Sequence, residues 1–255
     1  MIKAVAFDLW ETLISDTPTV SSRQEEARLT RMAASLRREG FDVSSTEVEQ
    51  AYRQLWSRCF ELYWAKDLDI HANQQILHFL EALDLDPAAV GQTLLGELEL
   101  AYAGAAIEHP PELVPNARET LAKVRQRNLK TGLVSNTGRT PGSALREVLA
   151  SHGLSGELDV LVFSNEHGQC KPRPSIFEKL REGLALRFDE ILFVGDNLYA
   201  DVHGAQSCGM LAVHFTPATR GNAVAPPVDH GLDIVPHATI ERLEDLDPIL
   251  AELTG

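Results

Sequence analysis

Short runs of apolar residues recur along the chain at strand length, at residues 2–7, 131–134, 158–163, 191–194 and 210–215. Each run is hydrophobic almost without interruption rather than alternating, the pattern of strands covered on both faces in a parallel sheet. Stretches with helical periodicity lie between them, at 117–128, 142–152, 174–184 and 201–208. Strand and helix alternating at this rhythm predict an α/β fold with a doubly wound parallel-sheet, Rossmann-like core. Residues 20–106 have a different texture. They hold no strand-like run but amphipathic patterns over 25–39, 45–64, 73–83 and 88–103, with Gly40 and Asp86-Pro87 as helix stop and start. The expected division is therefore core 1–16, an inserted helical segment 17–108 and core 109–255, with a loop over 218–227.

Composition narrows the classes of function. A chain of 255 residues with 44% hydrophobic and 24% charged residues can bury a full core. A net charge of −14 speaks against nucleic-acid partners, because phosphate backbones are gripped by basic surfaces. A small anionic substrate stays compatible with it, provided a few cationic groups line the pocket. The three cysteines, Cys59, Cys170 and Cys208, are widely spaced and odd in number, so neither a disulfide framework nor a zinc site is expected. No apolar run approaches the roughly 18 residues of a membrane span, and the first residues read as a strand rather than a signal peptide. A soluble cytoplasmic protein is expected; monomer and dimer are both open.

In open parallel sheets, ligands bind beyond the carboxyl ends of the strands. The first predicted strand ends in Asp8, and the second in Ser135-Asn136-Thr137-Gly138. After the third come Ser164-Asn165-Glu166 and then Gly168-Gln169-Cys170-Lys171-Pro172. The fourth ends in Gly195-Asp196-Asn197, with Asp201 five residues beyond Asp196. Taken singly, each has an ordinary explanation: Asp8 as a turn cap, Ser135-Asn136 bonding its own backbone, Lys171 in a solvated loop, Asp201 in the first turn of a helix. An Asp, a Ser-Asn pair, a Lys and an Asp-x4-Asp pair, each at a strand exit and in that order, are a far more specific combination.

That order resembles the haloacid dehalogenase superfamily of aspartate-nucleophile hydrolases, most of which are phosphatases. Four separated motifs carry the resemblance: FDLWETL, LVSNTG, the GxxKPxPxIF pattern at 168–177, and VGDNLYAD at 194–201. The helical segment matches a cap inserted after the first core strand. By this resemblance Asp8 is the nucleophile that forms an aspartyl-phosphate, and Ser135 and the backbone N–H of Asn136 bind the transferring group. Lys171 offsets the charge of Asp8 and the phosphate, and Asp201 orients Lys171 or metal-bound water. Mg²⁺ is implied as cofactor, held by Asp8, Asp196 and the backbone carbonyl of Trp10; a hard cation with oxygen ligands also offsets the repulsion between a carboxylate and an anionic phosphate. Trp10, Glu11, Thr12, Asn136, Thr137 and Arg139 are the expected substrate-binding residues.

Other features are expected to be structural. Arg23, Arg28 and Arg31, mixed with Glu25 and Glu26, read as a solvated face, and Glu166 and His167 as loop residues. Trp56, Phe60, Tyr63 and Trp64 form a helical aromatic stripe, expected to pack inside the helical segment or, for one or two of them, to wall the substrate pocket.

The departure is Trp10. Phosphatases of the superfamily mostly carry there a second aspartate that protonates the leaving oxygen and later activates water. Such acid–base help is worth about 10²–10⁴-fold, and an indole N–H cannot give it. Three readings stand. The first is an Mg²⁺-dependent phosphatase with a good leaving group, or with an acid from elsewhere, Glu11 being nearest. The second is a dehalogenase, whose halide leaves without a proton but whose metal-free members tend to lack the Gly195-Asp196 arrangement. The third is a weakly active or non-catalytic protein that binds a phosphorylated ligand. The intact metal-binding set favours the phosphatase.

Overall fold

The computed structural model describes residues 1–218 and 231–254; beyond Ala218, the loop expected over 218–227 lies outside them. Strand β1 (Ala4–Phe7) leads through the two-residue β2 (Ile14–Ser15) into four helices, α1 (Pro18–Arg38), α2 (Ser45–Leu62), α3 (Ala72–Ala82) and α4 (Gln92–Glu108). Strand β3 (Glu112–Leu113) pairs antiparallel with β2 and returns the chain to α5 (Ala117–Gln126) and β4 (Lys130–Ser135). There follow α6 (Gly142–Ser151), β5 (Val160–Phe163), α7 (Ser164–His167), α8 (Pro174–Leu184) and β6 (Ile191–Gly195). A π-helical turn at Leu198–His203 runs into α9 (Gly204–Ser207), then come β7 (Leu211–Phe215), β8 (Ala238–Ile240) and α10 (Leu246–Thr254).

The main sheet has the order β5-β4-β1-β6-β7-β8 and is parallel throughout. The chain winds outward from β1 through β4 to β5, then crosses back to β6 on the other side of β1. The strands with the apolar runs are those read from the sequence, and the doubly wound α/β class holds. The central strands β1 and β6 are buried along their whole length on both faces, and the two faces differ in size. Val5 and Phe7 of β1 join Leu133, Leu192 and Val194 against α5, α6 and α10. Ala4 and Ala6 face α8, packed with Phe177, Leu180 and Leu184. A Cβ built on Gly132 would stand 2.5 Å from Leu180 Cδ1, so a small residue there lets α8 approach the sheet closely.

Helices α1–α4 bury a separate apolar cluster that includes Met32, Leu36, Tyr52, Leu55, Phe79, Leu98 and Tyr102. Helix α1 begins at Pro18, well before the expected start at residue 25, with the Thr17 hydroxyl accepting from Val20 N–H. Its first turns gave no apolar signal because their buried face is polar: Gln24 and Arg28 continue the i, i+4 row of Met32. Arg28 is thus not on a solvated face. It is buried, with Nε donating to Tyr102 O at 3.0 Å and Nη2 to Thr140 Oγ1 at 3.2 Å. Gln24 Nε2 donates to Asp16 Oδ1 at 3.1 Å and to His109 O at 2.9 Å, tying the outgoing chain to the returning one.

Other boundaries moved for identifiable reasons. Asp86-Pro87 caps only a 3₁₀ turn at Pro87–Ala89, and α4 starts after Gly91. The helix expected at 201–208 opens at Leu198 as a π-helical turn, because Asn197 Oδ1 accepts from Tyr199 N–H and Ala200 N–H. Glu166 and His167 lie on α7 rather than in a loop, and Glu166 Oε2 pairs with Arg146 Nη2 at 2.8 Å. The aromatic stripe does not pack wholly inside the helical segment: Trp56 and Phe60 are 42% and 53% exposed, while α2 buries Val48, Ala51, Tyr52, Leu55 and Cys59. No helix among the described residues is long and apolar enough to cross a membrane.

Two glycines give opposite expectations. A Cβ on Gly204 would stand 2.8 Å from the Phe177 ring and 3.0 Å from Pro172 Cα, whereas one on Gly96 in α4 meets nothing within 4 Å. Gly204→Ala should therefore destabilise by about 1–3 kcal/mol and Gly96→Ala should stabilise by up to about 1 kcal/mol in urea unfolding. Asp16 offers a pH test. Burial pushes its carboxyl up to about 6, against the opposing pull of Arg28 and Gln24. The native state then holds a proton that the unfolded chain has released, so stability falls as pH rises from about 4 to about 6. Asp16→Asn keeps the acceptor for Gln24 and should gain on the order of 2 kcal/mol relative to wild type between these pH values, measured as the melting-temperature difference against pH.

Candidate active site

The carboxyl ends of β1, β4 and β6 meet where the winding direction reverses, the crevice position of open α/β sheets. Asp8 follows β1 directly, and its N–H continues the ladder to Val194 O at 2.9 Å. Its carboxylate is buried and contacts Lys171 Nζ. The same ammonium donates to Val134 O at 2.9 Å and pairs with Asp201 Oδ1 at 2.7 Å. Asp201 Oδ2 accepts from Asn197 N–H at 2.9 Å, so the π-helical turn fixes it from behind. Gly195 is required here, since a Cβ would occupy the space of the Asp201 carboxylate.

Charge in this site is uneven. Burial pushes the Asp8 carboxyl up to about 7, opposed by Lys171 and reinforced by Asp201. Burial also works against the charge on Lys171, but Asp201 and Asp8 outweigh it and push the ammonium up. Asp8, Asp196 and Asp201 each place an oxygen within 4.8 Å of the others. The three carboxyls converge beside a single ammonium, and every donor in the group is an oxygen. That donor set fits a hard divalent cation.

The turn after Asp8 is held by Leu9 O, which accepts from Leu13 N–H and Ile14 N–H at 2.9 and 3.0 Å. Trp10 is half-buried against the apolar cluster under the sheet. Glu11 adopts φ +60°, and its carboxylate accepts from Ser15 Oγ at 2.9 Å and lies near enough to Asp16 to raise that group. Thr12 is buried.

The second strand exit serves the site mainly through its neighbours. Ser135 is fully buried, its hydroxyl donating to Asn136 O at 3.5 Å. Asn136 clamps the main chain of Lys171: its Oδ1 accepts from Lys171 N–H at 2.8 Å and its Nδ2 donates to Lys171 O at 3.1 Å. Thr137 Oγ1 donates to Asp69 Oδ2 at 3.0 Å. Arg139 lies between two rings of α2, 4.6 Å from the Tyr52 centroid and 4.4 Å from that of Trp56. The structure thus brings Asp8, Lys171, Asp196 and Asp201 together, and turns the side chains of Asn136, Thr137 and Arg139 to protein partners. Sequence reading missed Asp69 and the burial of Arg28. Their available signals were a carboxylate between Leu68 and Ile70, and the i+4 phase of Arg28 with Met32.

The family model for haloacid dehalogenase-like hydrolases matches residues 2–209. The chain is 31% identical over 186 residues to a ribulose-1,5-bisphosphate 5-phosphatase of Halopiger xanaduensis, covering 69% of this chain and 73% of the relative. It is 29% identical over 262 residues to a glyceraldehyde 3-phosphate phosphatase of Methanopyrus kandleri, covering 99% of both. Among solved structures, a 2-haloacid dehalogenase from Pseudomonas syringae pv. Tomato DC3000 superposes with a TM-score of 0.72 at 25% identity, covering 99% of this chain and 100% of that one. The strand-end motifs, the parallel sheet and these matches agree: the chain belongs to the haloacid dehalogenase-like hydrolases.

Proposed function

We propose that the protein is an Mg²⁺-dependent phosphatase of the cytoplasm acting on a small phosphorylated metabolite, with residues 17–108 as the cap over its site. The observation that carries this reading is the buried Asp8–Lys171–Asp201 cluster with Asp196 at its edge, whose converging carboxylate oxygens suit a hard divalent cation. The relatives named as a ribulose-1,5-bisphosphate 5-phosphatase and a glyceraldehyde 3-phosphate phosphatase support a small phosphorylated substrate.

In this reading Asp8 attacks phosphorus while the bond to the leaving oxygen breaks, and water later hydrolyses the aspartyl-phosphate. Lys171 holds Asp8 in place and offsets charge on the incoming group. Ser135 and the N–H of Asn136 orient the phosphoryl oxygens, with Thr12 lining the turn. Asp201 keeps Lys171 charged and aimed. Asp8, Asp196 and the carbonyl of Trp10 would hold Mg²⁺, which when bound supplies a Lewis-acid charge beside the phosphoryl group. Trp10 gives no proton, and Glu11 is turned toward Ser15 and Asp16, so the leaving oxygen takes its proton from solvent or leaves as a stable anion. The resulting enzyme favours phosphates with good leaving groups.

A second reading, 2-haloacid dehalogenase, draws on Trp10 and on the similarity to the Pseudomonas syringae structure. Halide departs without a proton, so the missing acid would cost little. The two separate in one assay pair: phosphate release from a phosphomonoester panel with and without Mg²⁺, and halide release from 2-haloacids in EDTA. We expect Mg²⁺-dependent phosphate release that Asp8→Asn lowers by at least about 10³-fold; halide release surviving EDTA would instead establish the dehalogenase. Binding of a phosphorylated ligand with neither product would leave a binding protein. Trp10→Asp restores an acid at the second position and should raise phosphatase turnover by about 10²-fold or more, read as kcat at saturating substrate. An unchanged or lower kcat would count against this account of the missing acid.

A further inference from the structure

The helical segment grips four consecutive residues just past Ser135-Asn136. Thr137 Oγ1 donates to Asp69 Oδ2 at 3.0 Å, and Gly138 O accepts from Gln75 Nε2 at 3.0 Å. Arg139 lies between the Tyr52 and Trp56 rings, and Thr140 Oγ1 accepts from Arg28 Nη2 at 3.2 Å. The same segment also pairs with the chain that leads to Lys171. Asp69 N–H donates to Gly168 O at 3.1 Å, Cys170 N–H donates to Asp67 O at 2.9 Å, and Leu68 bridges antiparallel to Gln169.

Asp69 is common to both contacts. Asp69 is 5% exposed, and its carboxylate takes hydrogen bonds from four donors. Trp64 Nε1 and Ile70 N–H reach Oδ1 at 2.8 Å each; Thr137 Oγ1 and Ser164 Oγ reach Oδ2. Two donors belong to the helical segment and two to the core. Burying a carboxylate is costly unless its lone pairs are filled, and an apolar pair would hold two surfaces together as well. What a carboxylate adds is direction: one group fixes four atoms from three stretches of chain. Thr137 N–H also donates to Ser164 Oγ at 2.8 Å, so the stretches after β4 and β5 are locked to each other at Asp69. Asn136 then passes that placement to the main chain of Lys171.

We propose that Asp69 is a positioning residue of the active site: it docks the helical segment and, through Thr137, Ser164 and residues 168–170, holds Ser135 and Lys171 in register with Asp8. The catalytic part of this proposal rests on the phosphatase reading; the positioning part does not.

The test uses the full chain with Asp69→Ala and Asp69→Asn, read by amide hydrogen exchange and by steady-state phosphomonoester hydrolysis. For Asp69→Ala the amides of Thr137 and Cys170 should exchange at least about tenfold faster while β1, β4 and β6 keep wild-type protection. Its kcat should fall by about 10²-fold with KM changed less than threefold, the signature of misplaced reacting groups. Asp69→Asn should fall between the two, because the Thr137 and Ser164 hydroxyls can rotate to accept from the amide. Exchange at Thr137 and Cys170 within twofold of wild type, or faster exchange with unchanged kcat, would overturn the proposal. If Asp69→Ala does not fold, the Thr137→Val/Ser164→Ala double variant removes the core side of the contact and is judged by the same outcomes. If the wild type releases phosphate from no ester, the phosphatase reading fails and the exchange measurement alone decides the positioning role.

Discussion

A buried ammonium between two carboxylates sets the terms for the rest of the molecule. Lys171 Nζ meets Asp8, Asp201 and the carbonyl of Val134 in a place with almost no exposure to solvent. A charge can be kept in such a place only if its partners are held close and their remaining lone pairs are filled; removing one partner of a buried pair typically costs about 3–5 kcal/mol. Each partner therefore has its own support. Asp8 is anchored by the β1–β6 ladder, Asp201 by the N–H of Asn197, and the main chain of Lys171 by Asn136. Two of these supports come from distant parts of the sequence, so the folded sheet is what brings the three charged groups together.

The sheet supplies that meeting point through its order. With β4 and β6 flanking β1, three strand ends and their turns face one crevice. Small residues on one face, Ala4, Ala6 and Gly132, bring α8 close, and α8 starts just after the Lys171-Pro172 turn. Packing on a face of the sheet and the position of a lysine above its edge are thus the same geometric fact. On the helical side, Gln75, Arg28 and Asp69 extend the polar network to the stretch after β4, so the site is supported from both directions.

The parts legible in the sequence were those written in local pattern. Five core strands announced themselves as continuous apolar runs, and the strand-end motifs located Asp8, Lys171, Asp196 and Asp201 before any contact was known. What stayed hidden depends on partners far away in sequence. Arg28 looks solvated beside Glu25 and Glu26, yet Tyr102 and Thr140 bury it. Trp56 looks like core by period, but the buried row of α2 is set by Tyr52, Leu55 and Cys59. Two-residue strands such as β2 and β3 are too short to leave a period. Arg139 follows a motif that favours an anion, and only the fold places aromatic rings on both sides of it.

The β2–β3 ribbon and the Gln24 amide, which joins Asp16 to His109, hold the two ends of the helical excursion beside each other. An excursion with joined ends leaves the pairing of the strands from which it departs intact, and its length enters stability through a slowly growing closure entropy. The sheet and the helical excursion can accordingly change at different rates over evolutionary time, so long as the contacts of Arg28, Asp69 and Gln75 with the core are kept. A different excursion could be installed between β1 and β4 without disturbing the ladder that carries Asp8, provided it again pairs with the chain leading to Lys171.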